Sequence, residues 1–202
     1  LESMPRIENL ILFNNDLRII RKTLFINSSK IKTLDLSLNN LDEIEQGSFK
    51  HFHLSLITLR LNRNKFIRIR NFFFSNLTIL LRLDLSMNKI SSIEKNSFSD
   101  MNSLANLDLS DNCLFKLEFH LFDKLRNLVY LNLNKNLLKK LDLHVFINQK
   151  KLLELNVSDN LIDRFILNNS ILSKLNTIDL SNNLFLEEFE TNNLNLIYLN
   201  LN

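Results

Sequence analysis

Apolar residues recur along this chain in a single spacing. The clearest copy runs from Leu104 to Leu114, LANLDLSDNCL, with leucines at Leu104, Leu107, Leu109 and Leu114 and an asparagine at Asn112. Successive copies start at Ile7, Ile31, Leu56, Leu80, Leu104, Leu128, Leu152, Leu175 and Leu196, at separations of 24, 25, 24, 24, 24, 24, 23 and 21 residues. A fixed period of this size marks a solenoid, in which each copy is one coil and stacking supplies the core. Within a copy, Leu107-Asp108-Leu109 alternates with period two, which predicts a short strand with one buried face. The copies then lay their strands side by side and parallel, about 4.8 Å apart. The asparagine falls eight residues after each of the first eight starts, at Asn15, Asn39, Asn64, Asn88, Asn112, Asn136, Asn160 and Asn183. Its amide, with two donors and an acceptor, suits backbone groups left unpaired where the chain turns out of the strand.

A second row lies behind the first. Phe25, Phe49, Phe74, Phe98, Phe122 and Phe146 repeat at 24 or 25 residues, each preceded at five residues by Ile20, Ile44, Ile69, Ile93, Leu117 or Leu141. Leu104, Leu107, Leu109, Leu114, Leu117 and Phe122 are thus expected to face the inside of one coil, each contributing about 1.5–3 kcal/mol if fully buried. Departures come late. Gln149 stands where other copies have Phe52, Leu77, Met101 or Leu125, and Asp163–Lys174 loses the phenylalanine and one residue. The segment Leu186–Asn195 is shorter still, so the back of the coil is expected to become irregular from about Phe165. Gly47 and the extra residue near His51–Ser55 are expected to bulge outward in a loop.

Composition sharpens the problem of turning the chain. There is one glycine, Gly47, one proline, Pro5, and no tryptophan, where ordinary chains carry about 7% glycine and about 5% proline. Asparagine is the natural substitute, because its side chain bonds nearby backbone and it tolerates a left-handed φ. The net charge of +3, with a pI near 9.0, is spread along the chain and makes no case for a nucleic-acid or membrane partner. No apolar run approaches the ~18 residues of a membrane span. Cys113 is the only cysteine, so no internal disulfide forms.

The pattern resembles the leucine-rich repeat, LxxLxLxxNxL, from Ile7 to Asn202, and the 24-residue length with a late phenylalanine resembles its "typical" class. That class includes Toll-like receptors, insect leucine-rich immune proteins and adhesion receptor ectodomains. The resemblance implies an α/β-type solenoid, a horseshoe with parallel β-strands on the concave face and loops and short helical turns on the convex face. It also implies capping modules, usually disulfide-bonded in extracellular members. Neither end shows one, LESMPRIENL does not read as a signal peptide, and the chain stops in mid-strand at Leu199–Asn202. Residues 1–202 are therefore expected to form a single solenoid of about nine repeats, the last truncated, taken from a longer protein.

The solvent-facing strand positions are where a partner would dock. Arg60, Arg63 and Arg82 form a basic spot beside Asp84, Asp108 and Asp111, and Tyr130 projects from the same face. The competing account is a charge ladder in which Asp35, Arg60 and Asp84 neutralise one another, each pair worth about 0.2–1 kcal/mol. The run Arg60, Arg63, Lys65, Arg68, Arg70 is not continued by later copies, so it makes no nucleic-acid groove. His51 and His53 have no third metal ligand at suitable spacing, and His120, His144 and Cys113 read as surface or partly buried side chains. Asn-x-Ser/Thr sites occur at Asn27, Asn76, Asn156 and Asn168. They are glycosylation candidates, although the asparagine content alone supplies about that many.

No acid, base, nucleophile or metal constellation emerges, so the chain is not expected to be an enzyme, and no cofactor or metal is expected. The resemblance implies a protein-binding module of an extracellular receptor or secreted recognition protein in innate immunity or cell-surface signalling. Its partner would be a protein ligand, with homo- or hetero-oligomers open and neither nucleic acid nor a membrane span involved. A structural cell-adhesion protein and an intracellular leucine-rich-repeat scaffold are the alternatives.

Overall fold

The computed structural model describes residues 6–26, 28–167, 170–184, 188–191 and 195–202. Nine three-residue strands, Asn9–Ile11, Thr33–Asp35, Thr58–Arg60, Arg82–Asp84, Asn106–Asp108, Tyr130–Asn132, Glu154–Asn156, Thr177–Asp179 and Tyr198–Asn200, pair in chain order into one parallel sheet. Every pairing is in register, so the apolar middle residues form one row: Leu10, Leu34, Leu59, Leu83, Leu107, Leu131, Leu155, Ile178 and Leu199. The register follows from the period, because a slip of one residue would turn the leucines out into solvent. This is the stacked, parallel-stranded solenoid expected from the spacing. Among the described residues there is no α-helix, and the back is built from turns and two 3-10 segments, Lys50–Phe52 and Leu143–Phe146.

The interior is filled as the pattern requires. Leu104, Leu107, Leu109, Leu114 and Phe122 are buried, and Leu117 is half-buried against them. The phenylalanines stack along the solenoid, with centroids 6.4 Å apart for Phe49–Phe74, 6.1 Å for Phe74–Phe98, 6.3 Å for Phe98–Phe122 and 5.8 Å for Phe122–Phe146. At the start of the row the contact runs through an extra ring. Phe52 lies 5.2 Å from Phe25 and 6.2 Å from Phe49. The extra residue of that copy is accommodated just beyond it. The N–H groups of Ser55 and Leu56 both donate to the Phe52 carbonyl, and Leu54 is pushed out to 75% exposure.

The asparagine ladder does what its chemistry suggested. Asn39, Asn64, Asn88, Asn112, Asn136 and Asn160 are buried, and each amide bonds the backbone of its own coil and of the preceding one. Asn15 is exposed and bonds only its own copy, to the carbonyls of Leu12 and Phe13.

Two expectations need correcting. The ladder asparagines do not carry the left-handed backbone. The residue before each one does: Asn14, Leu38, Arg63, Met87, Asp111, Lys135, Asp159 and Asn182 all have φ between +50° and +56°. Four of these are Asn or Asp, which tolerate the conformation, and the other four have no such tolerance. A non-glycine residue there carries about 1–2 kcal/mol of strain, against about 0.5–1 kcal/mol for glycine's extra unfolded-state freedom. Lys135→Gly is therefore expected to stabilise the chain by about 0.5–1 kcal/mol, read as a higher urea midpoint, whereas Lys139→Gly, at an ordinary φ, should lower it. The second correction concerns the back from Phe165. At Phe165 itself the back is still regular, since Arg164–Leu167 pairs in parallel with Glu188–Thr191, Phe165 opposite Phe189; residues 168–169, 185–187 and 192–194, on which the rest of that expectation falls, lie outside the described residues. Phe165 is buried and takes the place held by Ile20, Ile44, Ile69 and Ile93 in earlier coils, so loss of the later phenylalanine leaves the apolar row intact.

Candidate functional site

Parallel pairing in register brings two outward rows onto the concave face. One reads Asn9, Thr33, Thr58, Arg82, Asn106, Tyr130, Glu154, Thr177 and Tyr198; the other reads Ile11, Asp35, Arg60, Asp84, Asp108, Asn132, Asn156, Asp179 and Asn200. Near the middle of the sheet they border a shallow hollow of about 230 Å³, lined by Arg60, Arg82, Asp84, Asp108 and Tyr130, with Thr58 and Asn106 at the rim and Leu59 and Leu83 as its floor. Five of the seven residues expected to form the docking spot thus meet. Arg63 and Asp111 do not. They occupy left-handed turn positions beyond the strand ends, where the Arg63 Nε contacts the Met87 Sδ at 3.2 Å.

The two arginines of the hollow differ. Arg60 directs Nη1 to Asp35 Oδ2 at 3.4 Å, half of the expected ladder. Its side chain is 50% exposed, so this pair adds little stability. Arg82 is exposed, and its guanidinium makes no hydrogen bond or ion pair among the described residues.

The aspartates also have a structural task, signalled by an Asp-x-Ser pattern in the sequence. Asp35, Asp84, Asp108 and Asp179 are each followed two residues later by a serine. Asp84 Oδ1 accepts from the Ser86 N–H at 3.0 Å and the Ser86 hydroxyl at 2.7 Å, and Asp108 Oδ1 accepts from Ser110 at 2.8 and 2.6 Å. Asx-type bonds of this kind close the turn that follows these strands. Burial, followed by the neighbouring Asp108 charge, pushes the Asp84 carboxyl above its ordinary range, against the lowering pull of the Ser86 bonds and Arg60. Tyr130 is half-buried, and its phenol is raised by burial and by the charges of Asp108 and Glu154.

The other candidates lie apart. Asn156 uses its Oδ1 to accept from the Ser158 N–H and hydroxyl, at 3.0 and 2.7 Å. Asn76 is exposed on the back, and its side-chain amide makes no hydrogen bond among the described residues. Asn27 and Asn168 lie outside the described residues. A larger hollow, about 610 Å³, opens on the back around Lys140, Asp142, His144, Asp163, Arg164 and Ile166. Asp142 Oδ1 lies 2.8 Å from His144 Nδ1, and its carboxyl is held low by the His144 N–H and ring. No serine, threonine or cysteine is among its described lining residues. Among the described residues no three His, Cys, Asp or Glu side chains converge to hold a metal ion, and no helix is long and apolar enough to cross a membrane.

Comparison with known proteins agrees with this geometry. The sequence profile described as leucine rich repeat matches residues 54–114 and 103–162, together more than half of the chain. No curated protein sequence matches. Among solved structures, a TLR13–ssRNA13 complex superposes with a TM-score of 0.83 at 27% identity, over 94% of this chain and 28% of that one. A leucine-rich-repeat protein of Leptospira interrogans gives 0.81 at 26%, over 96% and 48%. The Drosophila Toll–Spatzle complex, described as a hub in development and innate immunity, gives 0.75 at 26%, over 89% and 27%. The chain thus spans less than half the length of each of these relatives.

Proposed function

The chain belongs to the leucine-rich-repeat family, and on that premise we propose that it is a non-catalytic protein-binding module that docks its partner across the middle of the concave sheet. The family's fold generally mediates protein–protein interaction. The observation that carries the reading is the hollow in which Arg82, with no partner among the described residues, and a half-buried Tyr130 stand on backbone fixed by pairing on both sides. Side chains held in this way bind with little ordering cost, and arginine and tyrosine are the residue types that dominate binding energy at interfaces. The 24-residue class and the likeness to Toll and TLR13 favour an extracellular recognition role in innate immunity or cell-surface signalling. Asn76 is then the better placed of the two described glycosylation candidates, because it is exposed on the back, whereas Asn156 stands on the docking face.

The test is site-selective cross-linking followed by affinity measurement. A photo-reactive residue in place of Asn106 is expected to capture the partner, and one in place of Lys124, on the back, is not. Arg82→Ala and Tyr130→Ala should each weaken binding of the captured partner by about 1 kcal/mol or more, roughly fivefold. Unchanged affinity in both, with binding lost on substitution of the convex turns, would place docking elsewhere.

A further inference from the structure

In seven of the nine concave strands the third residue supplies an oxygen that accepts the N–H two residues on; Ile11 and Arg60 have none to offer. Asn156 supplies it to Ser158 and Asn132 supplies it to Asn134 with a neutral amide. Asp84 and Asp108 make the same bonds to Ser86 and Ser110. Where the turn uses an acceptor, a neutral amide serves, so the fold has no need of a negative charge here. The charge is also unfavourable to the fold. Asp84 and Asp108 are register neighbours, both half-buried, and the Arg60 guanidinium between Asp35 and Asp84 is directed to Asp35. With its carboxyl raised, ionised Asp84 opposes folding at neutral pH, a cost that is absent below the ordinary carboxylate range and grows as pH rises through it.

The same sign prevails over the whole face. The charged residues of the nine strands are Asp35, Asp84, Asp108, Glu154 and Asp179 against Arg60 and Arg82, a formal −3. The whole chain carries +3, so everything outside the strands carries +6. Charge is segregated, and the acidic side is the one with the hollow.

We propose that the concave face receives a cationic protein segment, with a lysine or arginine side chain of the partner lying between Asp84 and Asp108. This rests on the reading of the concave face as the docking surface and specifies the partner's chemistry. The Oδ1 atoms are committed to the serines. Asp84 Oδ2 makes no hydrogen bond among the described residues, and Asp108 Oδ2 accepts only from the Asn132 amide at 3.2 Å. A guanidinium or ammonium placed there gains charge-assisted hydrogen bonds from both carboxylates and the Tyr130 ring beside it. A phosphate backbone on this face would meet five carboxylates, so RNA, the ligand in the TLR13 complex, is disfavoured here.

The experiment uses the whole chain at physiological salt with three labelled probes followed by fluorescence anisotropy: an arginine–serine peptide, a glutamate–serine peptide of equal length, and a single-stranded RNA. The arginine peptide is expected to bind, and the D84N/D108N double variant to weaken it at least about tenfold, as loss of close charge pairs does. Glu118→Gln, on the convex side, should change it by less than about twofold. The melting temperature of D84N/D108N should equal or exceed that of the parent chain, and a fall of several degrees would overturn the claim that the turn needs only an acceptor. Arginine-peptide affinity that survives D84N/D108N, or falls as far with Glu118→Gln, overturns the proposal. If the glutamate peptide or RNA binds instead and Arg82→Gln abolishes it, the cationic partner is overturned while concave docking stands. If no concave substitution alters any probe, both readings fall.

Discussion

Phe98→Ala is expected to destabilise the chain by about 3–5 kcal/mol, the range for deleting a fully buried aromatic ring. Phe98 is 1% exposed and stacks between Phe74 and Phe122, with interplanar angles of 3° and 18°. Its removal leaves a cavity at the two junctions of its coil with the neighbours. Each lost ring pair adds about 0.5–1.5 kcal/mol beyond area burial. A solenoid is held together by nearest-neighbour interfaces, so a lesion at one coil weakens both. Phe98→Leu retains most of the volume and should cost less than half as much. Phe115→Ala, whose ring is 51% exposed, should shift stability by under about 0.5 kcal/mol. Urea denaturation of the three variants checks the order. A Phe98→Ala midpoint close to that of Phe115→Ala would mean that the row is not a structural spine.

The spine was legible because its cause is periodic. Burial of one face at a 24-residue interval fixes register, interior and ladder together, and every later coil repeats the evidence of the first. What escaped was set by local competition. Leu38, Arg63, Met87 and Lys135 have no intrinsic preference for a left-handed φ. They adopt it because the ladder asparagine that follows each one donates back to the two carbonyls preceding it and so closes the turn around it. Phe165 read as the start of irregularity because the phenylalanine five residues on was missing, but a buried ring at the strand position was enough to keep that stretch paired. Gln149 takes an interior position, where its amide nitrogen donates to the Phe122 carbonyl at 2.6 Å while its Oε1 has no partner among the described residues, so the polar residue is only half satisfied there. The docking face was legible in outline, since alternation names the outward residues. Sequence alone could not divide them: Arg60 is paired, Arg82 has no partner among the described residues, and Arg63 and Asp111 belong to turns. The Asp-x-Ser pattern was the available signal that the concave carboxylates also hold the backbone, and it makes Asp→Asn the substitution that separates charge from structure.

Asn112→Ala is expected to cost about 2–4 kcal/mol, and the loss is not shared equally among its bonds. The amide nitrogen donates to the carbonyls of Leu85, Leu109 and Ser110, at 3.1, 3.0 and 3.0 Å. Leu85 also accepts from Asn88 and Leu109 from Asn136, so each of those oxygens keeps a partner when Asn112 is truncated. The N–H of Ile90, in the preceding coil, has only the Asn112 Oδ1, at 2.9 Å. Ile90 is fully buried, so its N–H is orphaned at about 1–3 kcal/mol, and the weakened carbonyls account for the rest. Asn112→Asp tests the assignment further. It keeps the oxygen for Ile90 but loses both amide donors and turns a buried carboxylate towards three carbonyls, so it should be at least as damaging as alanine despite its nearly equal shape. Asn15→Ala, exposed and bonded only within its own coil, should cost under about 0.5 kcal/mol. Asn106→Ala on the concave face should fall in the same range. Chemical denaturation of the four variants gives the ranking. Tolerance of aspartate at 112, or an Asn106 effect as large as that of Asn112, would show that the amide is not what joins one coil to the next.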